Sequence, residues 1–124
     1  MIIITSIVMR EDIITVTTQW IPGYEVEEIL GLVWGLSVRT RGMLGRFISG
    51  IEAMVGGRGS AYLEELDKAR REALEDLKRR AADIGANAVL SIDFETTEIL
   101  EGFIVVTAYG TAVRVRKVES SSTR

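Results

Sequence analysis

Residues 60–84 read SAYLEELDKARREALEDLKRRAADI, and their spacing decides the architecture of the chain. Tyr62, Leu66, Ala69, Ala73, Leu77, Ala81 and Ile84 recur at helical intervals and predict the buried stripe of one long helix. Ser60 can cap its start, Glu64 and Glu65 lie near the positive end of its dipole, and Gly85 suits the left-handed residue that closes it. Glu64 and Lys68, Asp67 and Arg71, Glu75 and Arg79, and Asp76 and Arg80 stand four apart with the acid first, the better order for ion pairs. At about 1.5 Å per residue the helix runs about 40 Å, long for a small domain.

Downstream, residues 87–99 read as a strand with Leu90, Ile92 and Phe94 inward and Ser91, Asp93 and Glu95 opposite. Glu101-Gly102 turns the chain, and residues 103–115 return as the second strand of an antiparallel hairpin. Its first half is apolar on both sides. Phe103 and Val105 line one face; Ile104, Val106 and Ala108 line the other. A half-solvated sheet alternates with polar residues, so both faces need a cover. The helix supplies one, and a neighbouring subunit, meeting the Val106 face, is expected to supply the other.

Upstream, residues 13–20 alternate, with Ile14, Val16, Thr18 and Trp20 together, and predict a strand. After a turn at residues 21–24, residues 26–40 continue extended. Leu32, Trp34, Leu36 and Val38 share one face; Gly31, Val33, Gly35, Ser37 and Arg39 share the other, where two glycines point to close approach of another backbone. Leu44, Phe47, Ile48, Ile51, Met54 and Val55 predict a short helix ending at Gly56-Gly57. The expected fold class is α+β: an antiparallel sheet packed on one long helix plus a short helix. Residues 1–12 form an N-terminal extension with the character of an edge strand, 13–118 a single domain, and 119–124 a polar tail.

With 47% apolar and 27% charged residues, the 124-residue chain has the composition of one globular domain. A net charge of −3 argues against broad nucleic-acid binding. Residues 1–9 are apolar but too few to span a bilayer, and they lack the basic start of a signal peptide, so the cytoplasm is the expected location. There is no Cys and no His. That removes disulfides, thiol nucleophiles, the commonest general base and the commonest transition-metal ligand.

Three constellations could carry chemistry. Gly56, Gly57, Arg58 and Ser60 precede a helix and could present backbone N–H groups and a cation to a small anion. The stretch lacks the Lys-Ser/Thr of a P-loop, and a plain connector explains its glycines equally well. Arg39, Arg41, Arg46 and Arg58 form a basic region that could hold a phosphate, a carboxylate or nucleic acid, or could pair with Glu25, Glu27, Glu28 or Glu52 across subunits. Asp93 and Glu95 share a strand face and are the candidate ligands for a hard cation, against the alternative of a solvated face. No base stands by to activate a nucleophile, so no catalytic residue is assigned.

Residues 21–35, from Ile21-Pro22-Gly23-Tyr24 to Trp34-Gly35, resemble the opening strands of the YbjQ-like proteins. Residues 55–66, Ala69-Arg70, Glu72-Ala73-Leu74, Gly85-Ala86-Asn87-Ala88-Val89, residues 91–96 and Gly110-Thr111-Ala112-Val113 continue the likeness in order across residues 13–116. The resemblance implies a dodecin-subunit-like fold, assembly into a homopentameric ring with short strands joining neighbours, and a heavy-metal-binding role for an uncharacterised family. Residues 1–12 are an addition to that pattern, and Arg58-Gly59-Ser60 and residues 39–46 depart from it. The matched motifs supply no metal ligands. The sequence therefore favours a non-enzymatic ring protein binding a metal ion or small anion. The alternatives are an enzyme with a site between subunits and a structural scaffold. Its cofactor, if any, is not legible.

Overall fold

The computed structural model describes residues 13–40, 60–100 and 103–119. Strand β1 (Ile14–Thr15) is followed by β2 (Tyr24–Thr40), helix α1 (Ser60–Asp83), β3 (Ala88–Leu100) and β4 (Phe103–Lys117). The strands form one curled sheet in the order β1-β3-β4-β2. β4 pairs antiparallel with both β2 and β3, and β1 pairs parallel with β3. The expected short helix at 44–55, the extension 1–12 and nearly all of the tail 119–124 lie outside the described residues.

Helix α1 ends one residue short of its expected limit. Ala69, Ala73, Leu77 and Ala81 are completely buried, as their spacing requires. Three of the four are alanines, which lets the helix backbone descend onto the sheet. Gly35 is the position that receives it: a Cβ there would lie 2.2 Å from the Ala73 carbonyl oxygen and from the Leu77 amide nitrogen. Gly31 does not share this role. It meets open space and adopts φ +117°, serving a bulge instead. Ile84 does not join the buried stripe and is 47% exposed, because the helix has already ended and Gly85 turns left-handed at φ +92°. Arg114 closes that end by donating to the Gly85 carbonyl at 2.8 Å.

Of the expected helix ion pairs, Asp67–Arg71 and Asp76–Arg80 form. Lys68 instead reaches Glu65, and Arg79 reaches Asp76 and Asp83.

Two bulges shape β2. Glu27 and Leu30 each interrupt the register against β4, between Val26 and Glu28 and between Ile29 and Gly31. A third lies in β3, where Ser91 and Ile92 stand opposite the single residue Gly110. Ser91 has φ 55°, and a Cβ on Gly110 would lie 2.7 Å from the Leu90 carbonyl oxygen, so the bulge requires glycine across from it. The bulge also separates Leu90 from Ile92 and Phe94, which the sequence places together. Val89, Ile92 and Phe94 pack under α1 with Val33, Val106, Ala108 and Ala112. Leu90 lies on the other face with Ala88, Val113 and Val115, beneath Ile14, Val16, Ile21 and Tyr24.

Residues 13–20 form a shorter strand than their alternation suggests. Ladder pairing stops at Thr15, because the left-handed Ser91 turns the partner strand away. Single bonds continue, from the Ser91 N–H to the Thr18 carbonyl and from the Ile92 N–H to the Val16 carbonyl.

Candidate functional site

α1 covers one face of the sheet, and the segment before β2 covers the far end of the other. Among the described residues nothing covers the remainder of that second face, which is apolar along β2. Along β2 it carries Val26, Ile29, Leu32, Trp34, Leu36 and Val38, all exposed; Ile29 is 71% and Leu32 65% accessible. The spacing of these residues is three, three, two, two and two. A regular strand would alternate by twos. The two extra steps coincide with the two bulges, so each slip of register still returns an apolar residue to the same face. Phe103 and Tyr109 of β4 extend the patch.

This placement corrects one expectation. Val106 was to face a neighbour, but it lies under α1 and is 1% exposed. Antiparallel partners share a face, so the open side of β4 is that of Phe103, Val105, Thr107 and Tyr109, opposite Thr40, Val38, Leu36 and Trp34.

The carboxylates Asp93 and Glu95 belong to this same face. Asp93 pairs with Tyr109 and Glu95 with Thr107, so cross-strand rows read Trp34–Tyr109–Asp93 and Leu36–Thr107–Glu95. Both acids are exposed and border the apolar patch. One Asp93 carboxylate oxygen already accepts the Phe94 N–H at 2.8 Å. Among the described residues no group of three or more His, Cys, Asp or Glu could hold a metal ion. Asp93 and Glu95 are two hard donors from one chain. Soft thiolate and imidazole donors do not exist in it.

On the opposite face Arg39 is committed within its own chain, which corrects its assignment to a ligand or a neighbour. It bonds Glu65 and Glu72 of α1, each at 2.9 Å, with only 13% of its side chain exposed. Ser37 donates to the same Glu72 oxygen at 2.8 Å. The Arg39 bond, then Ser37, hold the Glu72 carboxyl below its usual range despite some desolvation. Glu25 and Glu27 likewise pair with Arg116 of the neighbouring β4. Asp76 accepts the backbone N–H of Leu36 at 3.0 Å, so a helix carboxylate occupies the outer edge of β2. Burial opposes the charge of Asp76, but the Leu36 N–H, Arg79 and Arg80 outweigh it and keep its pKa low.

Gly56, Gly57 and Arg58 lie outside the described residues, as do Arg41 and Arg46; Ser60 is the first residue of α1. Asn87, part of a motif that carried the resemblance, turns out to be structural. Its side chain both donates to the Val115 carbonyl at 2.9 Å and accepts the Val115 N–H at 2.8 Å, completing the sheet where β3 begins. Sequence reasoning missed Val26 and Ile29. The signal was present as two steps of three flanking the even alternation, together with Gly31.

The family model described as "Putative heavy-metal-binding" matches residues 13–116. A UPF0145 protein of Methanocella arvoryzae is 40% identical over 114 residues, covering 92% of this chain and 95% of its own. A UPF0145 protein of Sulfurisphaera tokodaii is 41% identical over 108 residues, covering 87% and 95%. A crystal structure of a protein of unknown function from Pediococcus pentosaceus, of the DUF74 family, superposes with a TM-score of 0.52 at 15% identity, covering 84% of this chain and 98% of that one. That likeness concerns the fold.

Proposed function

The chain belongs to the family described as "Putative heavy-metal-binding", and from that premise we propose that it is a non-enzymatic homo-oligomer assembled through the bare face of its sheet. The observation that carries this reading is the apolar stripe from Val26 to Val38, kept on one face through two bulges. A contiguous run of exposed apolar side chains is the character of an interaction surface.

Reaching the whole stripe would stretch the chain's own 41–59 connection to its limit. β2 ends and α1 begins at the same end of the sheet, since Arg39 meets Glu65 while Gly35 meets Ala73 and Leu77. A round trip from Thr40 to Ile29 along the strand takes about 70 Å. Residues 41–59 fully extended span about 65 Å. A second copy is therefore the cover we favour. The dodecin-like protomer and the five-subunit ring implied by the family resemblance belong to this proposal, with the cytoplasm as its place of action. Among the described residues no helix is long and apolar enough to cross a membrane.

The ligand reading departs from the family description. The donors this chain offers suit a hard cation such as calcium, magnesium or manganese, or, at the Arg58 loop, a small anion; they do not suit heavy metals. A ring would bring copies of Asp93 and Glu95 toward subunit boundaries, where a ligand would be held jointly. An enzyme with a site between subunits would instead show turnover lost on mutating those carboxylates, and a pure scaffold would show neither ligand nor turnover.

Native mass spectrometry of protein purified without chelators tests the assembly. The expected mass is a multiple of the 13.7 kDa chain. Trp34→Glu with Leu36→Glu should dissociate the assembly while circular dichroism stays unchanged. A stable wild-type monomer at micromolar concentration overturns the proposal.

A further inference from the structure

A second uncovered region lies at the other edge of the sheet. β1 is the outermost strand. Its Ile14 and Val16 N–H groups bond inward, to the Asn87 and Val89 carbonyls at 3.1 Å each. Backbone groups alternate in direction along a strand, so those of Thr15 and Thr17 point outward. Beside this edge, on the helix side, is an open groove of about 450 Å³ lined by residues 15–18, Leu74, Ile92 and Phe94. An open strand edge next to an apolar groove is a site for another strand.

We propose that residues 1–12 of the same chain fold back as an edge strand on β1 and fill this groove. Three observations select this occupant. Ile13, the first described residue, is 5% exposed and packed in the core under α1, two residues before the groove lining begins at Thr15. Residues 2–8 read IIITSIV, a β-branched run that fits an extended strand. Their reach is sufficient: seven extended residues span about 23 Å, against about 17 Å from Ile13 to Thr18.

The pattern also suits the two environments the strand would meet. A reversal over Met9-Arg10-Glu11-Asp12, polar in three of its four positions, sets Val8 opposite Ile13. Ser6 then opposes Thr15, and Ile4 opposes Thr17. Ile2, Ile4 and Val8 fall on the groove side above Leu74, Ile92 and Phe94. Ile3 and Ile7 fall on the other side, toward the cluster that includes Ile14 and Val16. A strand buried on both faces is apolar on both, as this one is. The proposal is independent of how subunits assemble.

The absence of cysteine gives the test a clean background. The full chain carrying Ser6→Cys and Thr15→Cys is oxidised mildly and mapped by non-reducing peptide mass spectrometry, and amide hydrogen exchange is measured on the unmodified chain. The expected result is a bridge within one chain, with the amides of residues 3–8 protected at least a hundredfold over random-coil rates. Exchange of those amides at random-coil rates overturns the proposal. So does a bridge that forms only between two chains, which would place the arm on a second copy.

Discussion

The Leu77 amide nitrogen stands so close over Gly35 that a Cβ on that glycine would lie 2.2 Å from it. The helix axis is held down by a chain of small residues, with Ala69, Ala73 and Ala81 on one side and Gly35 on the other. Adding one methyl group must lift a helix of 24 residues. Gly35→Ala should therefore cost about 3 kcal/mol or more, at the upper end of overpacking. Urea unfolding measures it; a loss under about 1 kcal/mol would mean that the helix is not seated there.

Neighbouring positions on α1 should differ in kind. Ala73→Asp buries an unpaired charge against Gly35 and should abolish stable folding or cost several kcal/mol. Glu72→Ala looks harmless from its place off the buried stripe, yet it deprives the largely buried Arg39 of one partner and Ser37 of its acceptor. Because Glu72 itself is 58% exposed, water restores part of the loss, and a cost of about 1 kcal/mol is expected. Thermal melts of both variants check the order. An unchanged Glu72→Ala melt would show the network to be idle.

Acid should weaken the domain in a defined window. Glu72 and Asp76 both titrate below their ordinary values of 4.5 and 3.8 in the folded state. A depressed carboxylate contributes its full stability above the unfolded pKa and loses it as pH falls through the folded one. Stability from these two groups should thus be level above about pH 5.5 and decline below about 4.5. Denaturant titrations across pH should show that decline reduced in Glu72→Gln with Asp76→Asn. An identical acid profile in the double variant would remove these residues from the explanation.

Metal binding separates the donor chemistry from the family description. We expect no sub-micromolar binding of zinc, copper or cadmium, since the chain offers carboxylates and no thiolate or imidazole. Isothermal titration in a non-chelating buffer is the direct measurement. Tight binding of any of those ions, abolished by Asp93→Asn with Glu95→Gln, would restore a heavy-metal site on the bare face.

How much of this was legible in the sequence depends on whether a regular period was enough. The helix, the β3–β4 hairpin and the close approach at Gly35 follow from periods of 3.6 and two and from glycine placement. The bulges at Glu27, Leu30 and Ser91 broke those periods. Ser91, in a left-handed conformation, sent Leu90 to the opposite face from Ile92, and the slips at Glu27 and Leu30 hid the continuity of Val26 and Ile29 with Leu32. Val106 was assigned to the open face because both faces of β4 are apolar, and strand periodicity does not say which one a helix will choose. Arg39 looked free because its partners, Glu65 and Glu72, lie 26 and 33 positions away. Asp93 and Glu95 lie side by side on an exposed surface and are not gathered with other described acids into a cage.

The bond from the Leu36 N–H to Asp76 bears on a hazard that any protein with a long edge strand faces. β2 is 17 residues long, lies at the margin of the sheet and is flanked by apolar side chains, which is the profile of a template for endless strand-on-strand growth. A carboxylate planted on that margin denies an incoming chain the hydrogen bond it would need at mid-strand and greets it with negative charge. In the assembly proposed above, association would thereby be steered away from the edge and onto the flat of the sheet, where contacts can close into a finite object. Losing the Asp76 carboxylate would remove that stop and leave the β2 edge open to strand addition, with fibres as the product.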